Sequence, residues 1–537
     1  MRLVGTSALG LAILLALIVA WNPVMYNTLH VGDTTFMLQV SSWVRAGDAP
    51  GVDFNHFYGG MHETFVALGL ELSGGTVKAL DYARLLEFGL VSVLFVLVAW
   101  KRLDFMTVNL LVLLCALTLF ATLPFEERPF VLGSNVEAAH SFAYNRFGTV
   151  LSLLCATVLV RPSQHRSAEW SAGAIAGLAA MAAVFTKVTF FPIPLAMILG
   201  FALMLRWHAL VAFLVAGSFF VLLLDPAGAR TISVFLYSME STGTGATESW
   251  LLRKAIRLVF SQHVEVVALL IGLGLVLFFP ARTGASRSVW SAVVVLGAFW
   301  ASSVTMGPAG LVGHQAVPFL VGLSVLLLPD IAQERARGAG LALSAVLFIS
   351  FAGPHLLNTA GATYASIRSA DEVALQEGPL AGYLARGPWR TYEDGGAISM
   401  RRDPERAVAA TAERLVAGRG GDATTEYVLL INAVSLLDGI EVPQGYGVVS
   451  NTLLGIGFAA GADRADGFPA WPRASSPEFR DGSDPLRAAS VMFLHRQNQG
   501  ALTDTLNSFL SDAFILCRQS PLWDMYVRVS HSGGRCL

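Results

Sequence analysis

The chain has 537 residues, of which 54% are hydrophobic and only 14% charged, and its mean hydropathy is +0.59. A soluble domain carries about 25% charged residues, so the composition excludes a purely water-soluble fold and is that of a polytopic membrane protein. The formal net charge of −2, with no Lys/Arg block long enough to track a phosphate backbone, argues against a nucleic-acid partner.

Crossing the hydrocarbon takes about 20 mostly apolar residues. The first such run lies near 4–22. Arg2 precedes it, but no small-x-small processing site follows Ala20, where Trp21, Asn22 and Pro23 intervene, so it reads as an uncleaved helix. A long loop, 24–83, comes next. Within it Thr34–Arg45 puts Phe36, Met37, Val40, Trp43 and Val44 on one side, as a helix lying in the membrane interface would. Gly47 and Pro50 end that helix, and a second short one is expected over 60–72.

Further spans are expected near 84–100, 105–123, 142–160, 170–187, 188–205, 209–224, 263–279, 289–306, 315–328 and 339–356, about eleven in all. The two that meet at Lys187 read equally as one long broken element. With the N-terminus inside, Arg2, Lys101, Arg102, Arg161, Arg166, Arg206, Arg282, Arg287, Arg335 and Arg337 fall on cytoplasmic loops, as the positive-inside rule requires. The exception is 225–262, where Arg230, Arg253, Lys254 and Arg257 fall outside; an amphipathic surface helix accounts for them.

Residues 358–537 hold about half of the charged side chains and none of the four lysines, so they read as a water-soluble region fused to a membrane core. A polar helix is expected over 403–418, buried strands at TEYVLLINAV and VMFLHR, a helix over Thr503–Leu516, and closing strands at FILCRQ and WDMYVRVS. Cys115 and Cys155 sit in apolar runs, whereas Cys517 and Cys536 lie in the polar tail and either pair, if that tail is outside the cytosol, or remain free thiols. The expected fold class is mainly α: a transmembrane helix bundle, 1–357, with a mixed α/β extracytoplasmic domain, 358–537.

The loop sequence HVGDTTFMLQVSSWVRAGDAPGVDFNHFYGGMHE is richer in reactive groups than a simple connection needs. Asp33 can act as a general base on a hydroxyl or hold a divalent cation such as Mg or Mn, and can equally cap the interfacial helix. Asp53 sits among glycines and aromatics and fits a catalytic or a turn role equally well. His56, His62 and Glu63 add hydrogen-bonding or ligand capacity, without the spacing of a strong metal motif. Asn145 and Arg146 open the fourth span, where a guanidinium can clamp a phosphate or snorkel to headgroups. The polar loop before them holds Glu126, Glu127, Arg128, Asn135, Glu137 and His140. Lys187, flanked by apolar runs, costs about 2.5–3.5 kcal/mol at a helix centre and is expected to face a cavity as a phosphate ligand. His314 and Gln315 occupy another outer turn and close the site from the far side.

On Asp33 in the first outer loop, the interfacial helix after it, the G-x-x-P-G-x-D-F segment at 47–54, the many spans and the outward C-terminal domain, the chain resembles the C-type (GT-C) glycosyltransferases. The resemblance implies an inverting transfer of a sugar from a polyprenyl-phosphate carrier to a glycan, lipid or protein acceptor of the cell envelope, outside a bacterial inner membrane. It further implies that Asp33 activates the acceptor hydroxyl, alone or with a metal, and that Arg146 and Lys187 neutralise the phosphate left on the lipid. The chain lacks the adjacent Asp-Glu pair of the protein mannosyltransferases and the W-W-D tract of the oligosaccharyltransferases. A transporter or flippase lined by Lys187 and Arg146 is the alternative, though no internal repeat of the kind many transporters carry is evident. A membrane scaffold would leave the Asp33 loop without a purpose.

Overall fold

The computed structural model describes residues 2–120 apart from 28–29, 57 and 100–101; 140–241 apart from 141–142; 318–385 apart from 320 and 327–336; and 400–532 apart from 419–421, 439, 441–445, 453, 467, 471, 473–475, 477–478, 480–485, 499 and 511–512. It is mainly helical, with one small sheet near the C-terminus.

The N-terminal bundle comprises α1 (Arg2–Trp21), α2 (Val31–Ala46), α3 (Met61–Leu72), α4 (Ala79–Ala99), α5 (Phe105–Phe120), α6 (Ala143–Val160), α7 (Arg166–Thr186), α8 (Pro192–Leu203), α9 (Trp207–Leu224) and α10 (Ala229–Ser241). Among the described residues, α1, α4, α6, α7 and α9 are long and apolar enough to cross a membrane, with α5 and 188–203 as shorter apolar helices. Every residue of α6 is buried, so it runs through the centre of the bundle. Between membrane helices, small residues allow close backbone approach. A Cβ on Gly173 or Gly177 of α7 would stand 2.3 Å from the carbonyl of Ala209 or Phe213 in α9.

The C-terminal region holds α11 (Arg337–Arg368), α12 (Pro404–Val416), α13 (Ala423–Ser435), α14 (Ile456–Ala459), α15 (Ala501–Phe509) and α16 (Val529–Ser532). A four-stranded sheet in the order β3-β4-β6-β5 is built from β3 (Gly447–Ser450), β4 (Ala489–His495), β5 (Phe514–Gln519) and β6 (Trp523–Arg528). β3 runs parallel to β4, while β6 is antiparallel to both β4 and β5. β4 is covered on both faces: Val491 and Phe493 join the core that includes α13, and Met492 and Leu494 join the core under Leu506 of α15. A parallel two-stranded ladder, β1 (Met25–Asn27) with β2 (Tyr383–Ala385), ties the start of the first loop to the C-terminal region through the pairs Met25–Tyr383 and Asn27–Ala385.

Several sequence expectations are corrected. TEYVLLINAV is helical, within α13, not a strand. The Asp422 carboxylate caps it, accepting from Thr425 N at 2.8 Å, and packing on opposite sides removes the polar face that would have marked a helix. α4 begins at Ala79 rather than 84, α15 stops at Phe509, and Phe514 already belongs to β5. α11 passes through the expected 357/358 boundary as far as Arg368. Of the span expected at 315–328, residues 318–319 and 321–326 are described and helical; those at 263–279 and 289–306 lie outside the described residues. Cys115 and Cys155 are free and buried; Cys517 is disulfide-bonded, and Cys536 lies outside the described residues.

Candidate active site

α2 begins after His30, whose left-handed backbone (φ 55°) turns the chain into the helix without supplying a side-chain cap. Asp33 lies in the first turn with its side chain 30% exposed, and its carboxylate is 4.0 Å from His30 Nδ1. Burial raises its pKa above the ordinary aspartate value, and the neighbouring His30 partly offsets this. Glu426 of α13 approaches the same turn, its Oε2 accepting from Gly32 N at 3.2 Å. Burial, with repulsion from Asp33 and Asp422, pushes the Glu426 carboxyl up to about 7. Alongside, Asn27 Nδ2 donates to Thr34 Oγ1 at 3.1 Å and to the Tyr383 hydroxyl at 3.0 Å.

A second group lies deeper. His56 Nε2 is 2.8 Å from Glu63 Oε1, and His62 Nδ1 is 2.6 Å from Glu87 Oε1; all four side chains are buried. Each pair uses only one end of its partners. Glu63 Oε2, Glu87 Oε2, His56 Nδ1 and His62 Nε2 are buried with no hydrogen-bond partner among the described residues. Burial pushes the Glu63 carboxyl upward, but the hydrogen bond and charge of His56, with the charge of His62, outweigh it and hold the group below the usual range.

Lys187 occupies the break between α7 and the single 3-10 turn Val188–Phe190, its backbone extended at φ −157°. Only 8% of the residue is exposed. Nζ lies 3.5 Å from Asn145 Oδ1, 5.1 Å from the Tyr144 ring centroid and 5.6 Å from that of Tyr58, and the Tyr58 hydroxyl donates to that of Tyr144 at 2.8 Å. Glycine brings these elements together: a Cβ on Gly59 would sit 2.4 Å from the Phe185 carbonyl. Gly60, at φ +87°, leaves room for the guanidinium of Arg230, which comes from α10, lies 5.9 Å from the Phe185 ring and is drawn electrostatically to Glu63.

Arg146 is buried beside Asn145 at the start of α6. His140, the one described member of the polar loop before it, accepts from Arg84 at 2.6 Å and donates to the Tyr26 carbonyl at 2.9 Å. Burial and the charge of Arg84 hold its imidazole well below the ordinary histidine range, so the ring is neutral. Asp53 is exposed, and its carboxylate accepts from Ala49 N at 2.7 Å, closing a turn. His314 and Gln315 lie outside the described residues.

The structure thus brings His56, His62, Glu63, Asn145 and Lys187 into one buried layer. The helix that carries Asp33 touches that layer: Phe36, one turn further along α2, is 5.9 Å from His56, which is 4.9 Å from Tyr58. The ion pair of Asp33 among the described residues is with His30. Three groups went unassigned to the site at the sequence level. Glu87 sat inside an apolar run, Arg230 was one of several basic residues in a long loop, and Glu426 lay in a supposed strand. Among the described residues no three His, Cys, Asp or Glu side chains converge as metal ligands.

No family model and no curated protein matches the chain. Among solved structures, it is similar to ArnT from Cupriavidus metallidurans in the apo state, with a TM-score of 0.50 and 14% identity over 97% of this chain and 98% of that one. The same protein bound to undecaprenyl phosphate matches at a TM-score of 0.49 and 13% identity, over 97% of each chain. The oligosaccharyltransferase of Archaeoglobus fulgidus matches at 0.42 and 11% identity, covering 91% of this chain and 69% of that one. The chain shares the ArnT fold from end to end, including the C-terminal region.

Proposed function

We propose that the chain is an integral membrane glycosyltransferase that moves a sugar from a polyprenyl-phosphate donor to a cell-envelope acceptor at the outer face of a bacterial inner membrane. In this reading the N-terminus is cytoplasmic and residues 358–537 are extracytoplasmic. The carrying observation is the buried layer of His56, Tyr58, Tyr144, Asn145 and Lys187, against which Phe36 of the helix that carries Asp33 is packed. The end-to-end likeness to ArnT, a protein whose structure with undecaprenyl phosphate is solved, supports the same reading.

The chemistry follows from where charge develops. Asp33 takes the proton of the acceptor hydroxyl, and the oxygen attacks the anomeric carbon from the face opposite the phosphate. The bond between that carbon and the phosphate oxygen breaks, its electron pair leaves with the lipid phosphate, and the configuration inverts. Lys187, Arg146 and Arg230 offset the negative charge growing on the phosphate; fixed cations lower a barrier when they meet charge that appears only in the transition state. Asn145, Tyr58 and Tyr144 orient Lys187, and His62 with Glu63 offers spare donor and acceptor atoms to sugar hydroxyls. Were a divalent cation such as Mg or Mn present, Asp33 and Glu426 would hold it with the donor phosphate, and it would offset the charge growing there.

Asp33→Asn tests the reading. Purified into liposomes with a polyprenyl-phosphate sugar, the variant should elute as a monodisperse species like the wild type and lose about 10²–10⁴-fold in transfer rate, the range for a missing general base. Wild-type rates in the Asn variant would remove Asp33 from the mechanism.

A further inference from the structure

The helix that carries Asp33 is incomplete by itself. The first four amides of a helix need partners, and His30, at the N-cap of α2, supplies no side-chain bond. The missing acceptor comes from the far end of the chain: Glu426 Oε2 meets Gly32 N at 3.2 Å, and the carboxylate also bonds the Val31 amide. Glu426 is well placed to reach across because its own helix, α13, is separately capped by Asp422 and packs on α2. Two further bonds bind the same end of α2 to the C-terminal region: Gly455 N donates to Thr35 Oγ1 at 3.1 Å, and Asn27 bridges Thr34 to Tyr383.

We propose that Glu426 is a positioning residue for Asp33: it caps the Asp33 helix from the C-terminal region, so that the catalytic turn is fully formed only when that region is docked. This rests on the reading of Asp33 as the general base. Glu426 is also the contact at which docking responds to protons. The charged and titratable groups facing it are Asp33 from α2, itself paired with the N-cap His30, Tyr383 from β2, and Asp422, which is ion-paired to Arg414 of α12; α14 contributes none. Two carboxylates share one helix end, and the second charge there is costly. Burial and the neighbouring carboxylates raise the Glu426 pKa from 4.5 to about 7, outweighing the Gly32 and Val31 amides that favour its charged form, so docking is most favourable below 4.5 and weakens as pH rises to about 7, by linkage. The weakening then levels off.

The test uses the full-length protein in nanodiscs without substrate, comparing wild type, Glu426→Gln and Glu426→Ala by amide hydrogen exchange over residues 31–36, corrected for intrinsic rates. Wild-type protection should fall by about tenfold per unit between pH 5 and 7 and level off above. The Gln variant, which keeps an acceptor oxygen but cannot ionise, should be flat across that range. The Ala variant should exchange at least tenfold faster than Gln at every pH. Protection in Ala equal to that in Gln, or a pH step that persists in Gln, overturns the proposal. With donor and acceptor added, the wild-type rate profile should carry an inflection near pH 7 that Gln lacks. A wild type without any transfer would defeat the enzyme reading alone, because the exchange experiment still decides the role of Glu426.

Discussion

The two ends of α7 carry two buried polar clusters that are built on different principles. At its start, Glu169 is fully matched: Oε1 accepts from Ser163 N at 2.6 Å and pairs with Arg102 at 2.9 Å, and Oε2 pairs with Arg206 at 2.5 Å. The arginines are in turn anchored on the carbonyls of Arg161, Ala168, Val158 and Leu159. At its other end, about 30 Å away for a helix of 21 residues, the pairs His56–Glu63 and His62–Glu87 leave four buried polar atoms unmatched among the described residues. A buried carboxylate with both oxygens matched rigidifies a fold, and pairs left partly open cost stability. The cost is borne where a polar ligand can complete the bonds.

Substitutions can break or sharpen that contrast. The largest effect on folding is expected at Glu169→Gln, which leaves Arg102 and Arg206 without their counter-charge and should cost about 3–5 kcal/mol, seen as a lower detergent-solubilised melting temperature while transfer per folded molecule is unchanged. Normal melting with lost transfer would reverse the assignment of the two clusters. Next is Lys187→Met, expected to weaken donor binding by about 2–3 kcal/mol, roughly 30- to 150-fold, with little change in acceptor affinity. Its melting temperature should hold or rise, since a lysine among apolar helices is itself costly; equal donor affinity in the two proteins would take Lys187 out of the site. The smallest effect is expected at Asp53→Ala, where one exposed turn bond worth about 0.5–1.5 kcal/mol is lost and transfer should stay within twofold. A loss of transfer comparable to that of Asp33→Asn would restore Asp53 to a catalytic role.

The membrane helices and the reactive first loop were legible because both are local signals: apolar runs of fixed length, and charged groups crowded into one segment. Lys187 stood out for the same reason, as a cation between apolar stretches. What stayed hidden depends on chain segments that meet only in three dimensions. Glu426 lies 394 residues from Gly32, which it caps, and the apolar run after it reads as a strand because α13 is packed on opposite sides. Arg230 looked like one more surface cation until Gly60 and Phe185 framed its guanidinium. Asp53 read equally as a site or a turn residue, since a carboxylate in a glycine-rich segment serves either, and its carboxylate accepts from Ala49 N.

The most direct measurement is a cryo-EM map of the full-length protein in nanodiscs with polyprenyl phosphate bound. The phosphate should lie within contact of Lys187 Nζ, on the side of the layer that faces the Asp33 turn. Phosphate density on another face of the bundle, with Lys187 still resting on Tyr58 and Tyr144, would contradict the assignment of this layer as a transferase site.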